Sequence, residues 1–351
     1  MKLLIINPGA TSTKVAVFEN DQELSRVNID HPAETLAPFK RIIDQKEYRL
    51  GLILKWLDDN GYPLSDFAAV CGRGGLLRHI PSGTYEVTDK AIQDVLDPPY
   101  GEHASNLGVA IAREIGDMAK IKAYFVDPVS VDEMTEIAHV SGFCGMQRES
   151  FFHALNQKSV GRKAAGMLKK PYDKVNLIVV HMGGGVSVAA HEHGRVVDVY
   201  NVKDEGSFAM DRGGSLPVNA VINLCFSGLT KAEVKRRLGS EAGVYSYLGT
   251  RDFREVERRK NEGDAEAALI FNALAYQHAK DIGAMAAVLK YDIDAVVFTG
   301  GMANSRALVN AICEYTGKLA PALTIPGEEE MQSLAMGALR ALTGESPAKL
   351  Y

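Results

Sequence analysis

Leu3-Leu4-Ile5-Ile6-Asn7-Pro8-Gly9-Ala10-Thr11-Ser12-Thr13-Lys14-Val15-Ala16-Val17-Phe18 decides the fold class. A continuous apolar run, a turn of glycine and hydroxyl residues, and a second run of small and branched residues read as two strands joined by a tight turn. The same pattern returns in Leu177-Ile178-Val179-Val180-His181-Met182-Gly183-Gly184-Gly185-Val186-Ser187-Val188-Ala189-Ala190. Each time a polar turn, Asn20-Asp21 or His193-Gly194, leads into a third strand, Leu24 to Ile29 and Arg195 to Val202. Strands that are apolar throughout belong in the middle of a sheet covered by helices on both faces. The recurrence therefore implies two related α/β domains, each opening with a β-meander.

Helical patterns follow each meander. They cover Leu36 to Asn60, Ser105 to Lys120, Leu216 to Ser227, Thr230 to Leu238 with Thr230 as N-cap, Ala265 to Leu289, and a final helix from Glu328 to Leu342. Short apolar strands lie between them, at Ala68 to Cys71, Ala123 to Val126 and Ala295 to Phe298. Lys169-Lys170-Pro171 breaks a helix just ahead of the second meander, which places the domain divide within 147–174. The expected domains are 1–150, completed by the C-terminal helix at about 330–351, and 151–330.

Composition narrows the function classes. The 351 residues are 46% hydrophobic and 24% charged, the balance of a globular protein. Lys and Arg number 39 against 44 Asp and Glu, a net charge of −5 with no basic block, which argues against a nucleic-acid or membrane partner. No apolar run approaches the ~20 residues that span a bilayer, and the N-terminal run is halted by Asn7-Pro8-Gly9. Cys71, Cys144, Cys225 and Cys313 are far apart and form no C-x-x-C pair, so they are expected to be small buried hydrophobes in a reducing cytoplasm.

The glycines point to phosphate. Gly317-Lys318 runs into Leu319 and lacks the earlier glycine of a P-loop, and no G-x-G-x-x-G follows the first strand. Instead, small-residue turns expose backbone N–H groups and let an anion approach. Thr11, Ser12 and Thr13 add hydroxyls there, and Lys14 adds a compact positive charge. The run Phe298-Thr299-Gly300-Gly301-Met302-Ala303-Asn304-Ser305 leads a buried strand through a glycine pair into a helix, a turn that suits a nucleotide.

This constellation resembles the actin-like ATPase superfamily. The stretches Asn7 to Lys14, Asp97-Pro98-Pro99-Tyr100-Gly101-Glu102-His103-Ala104-Ser105-Asn106, His181 to Gly185 and Met210-Asp211-Arg212-Gly213-Gly214-Ser215-Leu216-Pro217 are similar to the acetate kinase family, and within it to its butyrate kinases. The likeness runs from the first strand to the last helix. It implies duplicated ribonuclease H-like domains with an active-site cleft between them. The implied reaction is reversible transfer of phosphate from ATP to butanoate, giving butanoyl phosphate and ADP. ATP and Mg²⁺ are the implied cofactors, and a cytoplasmic homo-oligomer, dimer or larger, is implied as well. Acetate, propionate or isobutyrate kinases of the same family, and an ATP-dependent regulator of the same fold, are the alternatives.

The resemblance also carries residue roles. Asn7 and Ser12 would stand near the transferred phosphate and metal, and Asp127 would hold Mg²⁺ through water, with Glu329 or Glu330 as a second carboxylate. His153, after Phe152, would be the catalytic histidine and Arg212 the transition-state arginine. Arg73, in Gly72-Arg73-Gly74-Gly75, would clamp the substrate carboxylate, and His103 and His181 would lie near substrate and phosphate. Phe152 is grouped with the substrate residues. Lys14, Gly183, Gly184, Gly185, Gly300, Gly301 and Asn304 complete the phosphate and nucleotide set. Gly184 stands where acetate kinases carry an asparagine, and Arg73 is displaced about three residues from their arginine; these departures favour a longer acyl chain. His191-Glu192-His193 reads as a solvated turn, and Arg251, Arg254, Arg258 and Arg259 read as a solvated helix face.

Overall fold

Residues 1–351 are described by a computed structural model. In chain order the strands are β1 (Lys2–Pro8), β2 (Ser12–Glu19), β3 (Gln22–Asp30), β4 (Phe67–Arg73), β5 (Thr84–Glu86), β6 (Lys122–Val126), β7 (Asn176–Met182), β8 (Val186–Glu192), β9 (Arg195–Val199), β10 (Ala295–Thr299), β11 (Ala322–Thr324) and β12 (Lys349–Leu350). They form two sheets, ordered β12-β5-β6-β4-β1-β2-β3 and β11-β10-β7-β8-β9. β1–β2–β3 and β7–β8–β9 are both antiparallel meanders. β4 and β6 then add in parallel to β1, as β10 and β11 add in parallel to β7. The repeat in the sequence is thus a repeat of topology, and the chain is a pair of actin-like α/β domains. Even the second hairpin turns match, with Asn20 between β2 and β3 and His193 between β8 and β9 both left-handed, at φ 55° and 48°.

One compact unit is residues 1–132 with 329–351, and the other is residues 133–328. The sequence-based boundaries of 150 and about 330 differ from these mainly at the first changeover. In the first unit Leu4, Ile6, Val15 and Val17 pack under Leu50, Ile53 and Leu57 of helix Lys46–Asp59 and under Leu107, Ile111 and Ile115 of helix Asn106–Ala119. The C-terminal helix Glu330–Thr343 packs on β1, β4 and β6 and supplies a further helical layer. In the second unit the alternation of β7 is explicit. Ile178 and Val180 face helix Ala265–Val288, whereas Leu177 and Val179 face Val160 and Ala164 of helix Ala154–Met167.

Several expectations are corrected. The helix expected from Leu36 to Asn60 is broken, with a short turn Ala33–Leu36 and a 3₁₀ turn Ile42–Gln45 ahead of Lys46–Asp59. Pro38 explains the interruption, since its ring and missing N–H cannot continue a helix. β9 stops at Val199 rather than Val202. Of the cysteines only Cys71 is buried; Cys144 and Cys225 are exposed and Cys313 is half-buried. Thr230 caps its helix as expected, within a capping box closed by Glu233. No helix is long and apolar enough to cross a membrane.

Gly72 shows what one of the glycine clusters does. A Cβ there would lie 1.9 Å from Gly108 O, so β4 and helix Asn106–Ala119 meet backbone to backbone. This close approach fixes the end of β4, from which Arg73 projects.

Candidate active site

Ligands in α/β sheets gather at the carboxyl ends of parallel strands. In the first unit Ile6 pairs with Gly72, and Arg73 with Val126, so Asn7, Arg73 and Asp127 emerge at neighbouring strand ends. Asn7 Nδ2 donates to Glu330 Oε2 at 2.6 Å, and Arg73 Nη1 reaches Glu330 Oε1 at 2.7 Å and Asn7 Oδ1 at 3.4 Å. Of the two acids left open by the sequence, Glu330 is the one bonded to Asn7 and Arg73. Glu329 is exposed, and its carbonyl accepts from Ser333. Arg73 is therefore engaged by a carboxylate of the protein's own, through Nη1.

Asp127 sits in a left-handed conformation, φ 38°, which disfavours any non-glycine residue. Ser82 Oγ and Gly83 N each donate to its Oδ1 at 2.7 Å and hold it there. Oδ2 takes no part in that bridge. Mg²⁺ takes oxygen ligands, keeps several waters and needs only one or two protein carboxylates. Asp127 and Glu330 fit that donor set, and no three His, Cys, Asp or Glu side chains cluster into a closed cage.

Across the β1–β2 pair, Lys14 lies opposite Asn7, and Ser12 shares the face of Lys14. Thr13 points the other way into the core, where the structure reveals a residue that the sequence reading missed. Arg49, only 1% exposed, donates to the carbonyls of Gly9 (2.8 Å), Ala10 (3.1 Å) and Ser12 (3.1 Å) and to Thr13 Oγ1 (3.0 Å). Its remaining donors go to Gln45 Oε1, at 2.7 and 3.1 Å. A buried guanidinium, clasped by carbonyls, thus underlies the first glycine turn. Thr13 Oγ1 also lies 2.8 Å from His31 Nε2, and burial together with the Arg49 charge pushes His31 down to about 4.

The sign of that shift gives a prediction. His31 stays neutral in the fold but protonates near 6.5 when unfolded, so its contribution is intact above pH 6.5 and is lost as pH falls towards 4. His31→Gln is expected to flatten the acid limb of stability over that window. The sole tryptophan, Trp56, lies in helix Lys46–Asp59 and reports on this unit by fluorescence. Parallel wild-type and variant curves would remove His31 from the acid response.

His103 Nδ1 accepts from Ser105 N at 3.2 Å and lies 2.6 Å from Ser105 Oγ. The void beside it, lined also by Ile42, Val95 and Leu107, is about 10 Å³, room for a water at most.

In the second unit Gly183 and Gly184 of the β7–β8 turn line a cavity of ≈ 520 Å³ together with Gly301, Met302, Asn304 and Ser305 of the β10 turn. That volume lies in the range of small-molecule pockets. Gly300 has φ 85°, and a Cβ there would meet Met182 O at 2.4 Å, so this turn requires glycine. Asn304 Nδ2 ties back to Gly301 O at 2.9 Å. Arg251 and Arg254, expected on a solvated face, also line the cavity because helix Phe253–Asn261 begins beside it. Arg258, by contrast, pairs with Glu255 and Glu262 along the helix surface as expected.

Arg212 reaches the same turn. Its Nη1 donates to Val202 O at 3.3 Å and stands so near Gly185 that a Cβ there would be 2.8 Å away. His181 Nδ1 donates to Asn156 Oδ1 at 2.8 Å, and its Nε2 lies 3.0 Å from Glu328 Oε1 without a hydrogen bond to it. The His153 ring stacks on His181, with centroids 3.7 Å apart and planes 11° apart. Phe152, grouped with the substrate residues in the sequence reading, is fully buried and offers a ligand no surface. His191, read as part of a solvated turn, is fully buried, because helix Ala154–Met167 covers its face of β8. His193 lies in the turn itself.

Two actin-like sheets, polar strand ends and a cavity between glycine turns form a scaffold that suits a nucleotide. The acetokinase family profile matches residues 144–322, just over half of the chain, and the chain belongs to that family. Membership makes it a kinase acting on a carboxylate, in a family that uses ATP and a divalent metal. In fold it is similar to Porphyromonas gingivalis acetate kinase, at 21% identity and TM-score 0.79 over 97% of this chain and 99% of that one. A propionate kinase from Francisella tularensis is similar over 96% and 98%, at 18% identity and TM-score 0.75. A ROK hexokinase from Thermus thermophilus shares the fold over 97% of each chain, at 16% identity and TM-score 0.51.

Proposed function

We propose that this protein is a butyrate kinase, transferring the γ-phosphoryl group of ATP reversibly to butanoate. The observation that carries the phosphoryl-transfer reading is Arg212, held against the glycine turn that lines the cavity. A carboxylate oxygen of butanoate forms the new P–O bond while the bond from the γ-phosphorus to the β–γ bridging oxygen breaks, and ADP leaves with that electron pair. Arg212 and His153 hydrogen-bond the equatorial oxygens, where charge accumulates. Arg73 exchanges Glu330 for the substrate carboxylate, which its planar donors match. Asn7, Ser12, Lys14 and His181 bind phosphate oxygens. The turns Gly183–Gly185 and Gly300–Gly301, with Asn304, take the nucleotide. Asp127 and Glu330 would hold Mg²⁺, which neutralises phosphate charge when bound. A cytoplasmic homo-oligomer goes with this reading.

The preference for butanoate rests on the sequence stretches resembling butyrate kinases. Acetate or propionate is the second reading, favoured by the named activities of the similar structures. One methylene is worth only ~1–3 kcal/mol in a pocket, so a series decides. ADP release should be measured with formate through hexanoate, ATP and Mg²⁺, while hydroxylamine traps the acyl phosphate. The highest kcat/KM is expected with butanoate. A maximum at acetate or propionate shifts the substrate; ADP release without acyl hydroxamate for any acid overturns the kinase.

A further inference from the structure

His153 is bonded to a chain of four side chains, largely buried, whose donor directions are fixed from Tyr172 as far as Ser187. Gln157 sets them. Its Nε2 lies 3.0 Å from Ser187 O and 2.8 Å from Ser187 Oγ, and a backbone carbonyl only accepts, so the amide nitrogen faces Ser187. Gln157 Oε1 therefore faces His191 Nε2 at 3.0 Å, and that nitrogen must carry a proton. His191 is fully buried near the cations Lys158 and Arg162, which together hold it neutral. Its Nδ1 is then bare and accepts from Tyr172 O–H at 2.7 Å. At the other end Ser187 Oγ accepts from Gln157 through one lone pair and lies 2.9 Å from His153 Nδ1, which puts its own proton within reach of that nitrogen.

We infer that Tyr172, His191, Gln157 and Ser187 form a one-directional relay of donors that fixes His153 as the Nε2–H tautomer. Ser187 is the terminal positioning residue. It lies directly opposite His181 in the β7–β8 pairing, so the ring stacked on His181 is bonded by the cross-strand neighbour. The polarity matters because a neutral Nε2–H is a donor, which a phosphoryl oxygen accepts, whereas a bare Nε2 would repel it. Gln157 is 0% and Ser187 1% exposed, so water does not compete for these bonds. Fixing a tautomer through the second ring nitrogen is how a buried partner controls a catalytic imidazole. The role of His153 in phosphoryl transfer rests on the proposed function; its tautomer does not.

The test uses the full chain labelled with ¹⁵N-histidine, with His153→Gln assigning one signal among nine histidines. Two-bond ¹⁵N–¹H spectra of the wild type are expected to show His153 protonated at Nε2 and bare at Nδ1. Ser187→Ala should shift the Nδ1 signal away from its hydrogen-bonded position and lower kcat roughly 10-fold with little change in KM for ATP. Ser187→Thr, which keeps the hydroxyl and suits a strand, should restore both. A wild-type His153 protonated at Nδ1 overturns the relay, as does an unchanged His153 spectrum in Ser187→Ala. Full activity in His153→Gln would instead sink the catalytic reading of His153 and leave the spectral result standing.

Discussion

Arg212→Ala is expected to reduce kcat by roughly 10³-fold, worth about 4 kcal/mol of transition-state stabilisation, while changing KM for ATP little. The geometry argues for a functional charge. Glu205, an acid near enough in sequence to neutralise it, is held by Arg148 at 2.8 and 3.2 Å. Asp211 is 3.9 Å from Arg212 Nε and is shared with Arg251 at 3.5 Å. The one hydrogen bond that positions the guanidinium is to Val202 O, at 3.3 Å, and the side chain is 37% exposed. Its charge is thus held beside the β7–β8 turn without a close counter-ion. Arg212→Lys should recover only part of the rate, because an ammonium lacks the planar fork. Circular dichroism and the melting temperature should stay near wild type, since no core contact is lost. A folded Arg212→Ala protein that keeps more than a tenth of the wild-type kcat would rule out the assignment.

Much of this arrangement was legible because it rests on local pattern. Apolar runs with glycine turns at Leu3 and Leu177 announce central strands, and equal strand orders follow when such strands are duplicated. Asp127, Arg73 and Asn7 were named through the family resemblance, and the structure places them at neighbouring strand ends. What escaped depends on partners without a sequence signature. His191-Glu192-His193 looks like a polar turn, yet His191 shares the face of Ser187 and Ala189, which helix Ala154–Met167 covers. Gly72 stands in the sequence only as the residue before Arg73, but its steric need is Gly108 across the helix contact. Glu329 and Glu330 differ only in where the last helix starts, and that single residue of phase directs Glu330 to Arg73. Arg49 was the most hidden, since a charged residue in an amphipathic helix reads as solvent-facing by default, while Leu50, Ile53 and Leu57 beside it mark the buried stripe.

Arg49→Met should therefore show a large stability effect, at a residue that touches no ligand. A buried cation is costly unless its donors are satisfied. Here burial holds the Arg49 pKa below its ordinary value, and no carboxylate compensates. The charge is instead solvated by the carbonyls of Gly9, Ala10 and Ser12, by Thr13 Oγ1 and by Gln45 Oε1. Methionine keeps the length of the stem but offers no donor, so those acceptors lose their partner and the turn loses its clasp. Hydrogen bonds from a charged group contribute ~1.5–3 kcal/mol each; with partial rehydration of a surface turn, a net loss of about 3–5 kcal/mol is expected. Arg49→Lys should fall between, since three donors cannot bridge the same acceptors. Trp56, two turns further along the same helix, makes the measurement specific, because denaturant unfolding followed by its fluorescence reports on the unit that contains the turn. Under the proposed function KM for ATP should rise as well, because the backbone N–H groups between Gly9 and Ser12 would no longer be held for phosphate. A denaturation midpoint equal to wild type would show that the clasp is dispensable and that the turn is held by its own Gly9 N to Ser12 O bond, 2.7 Å long.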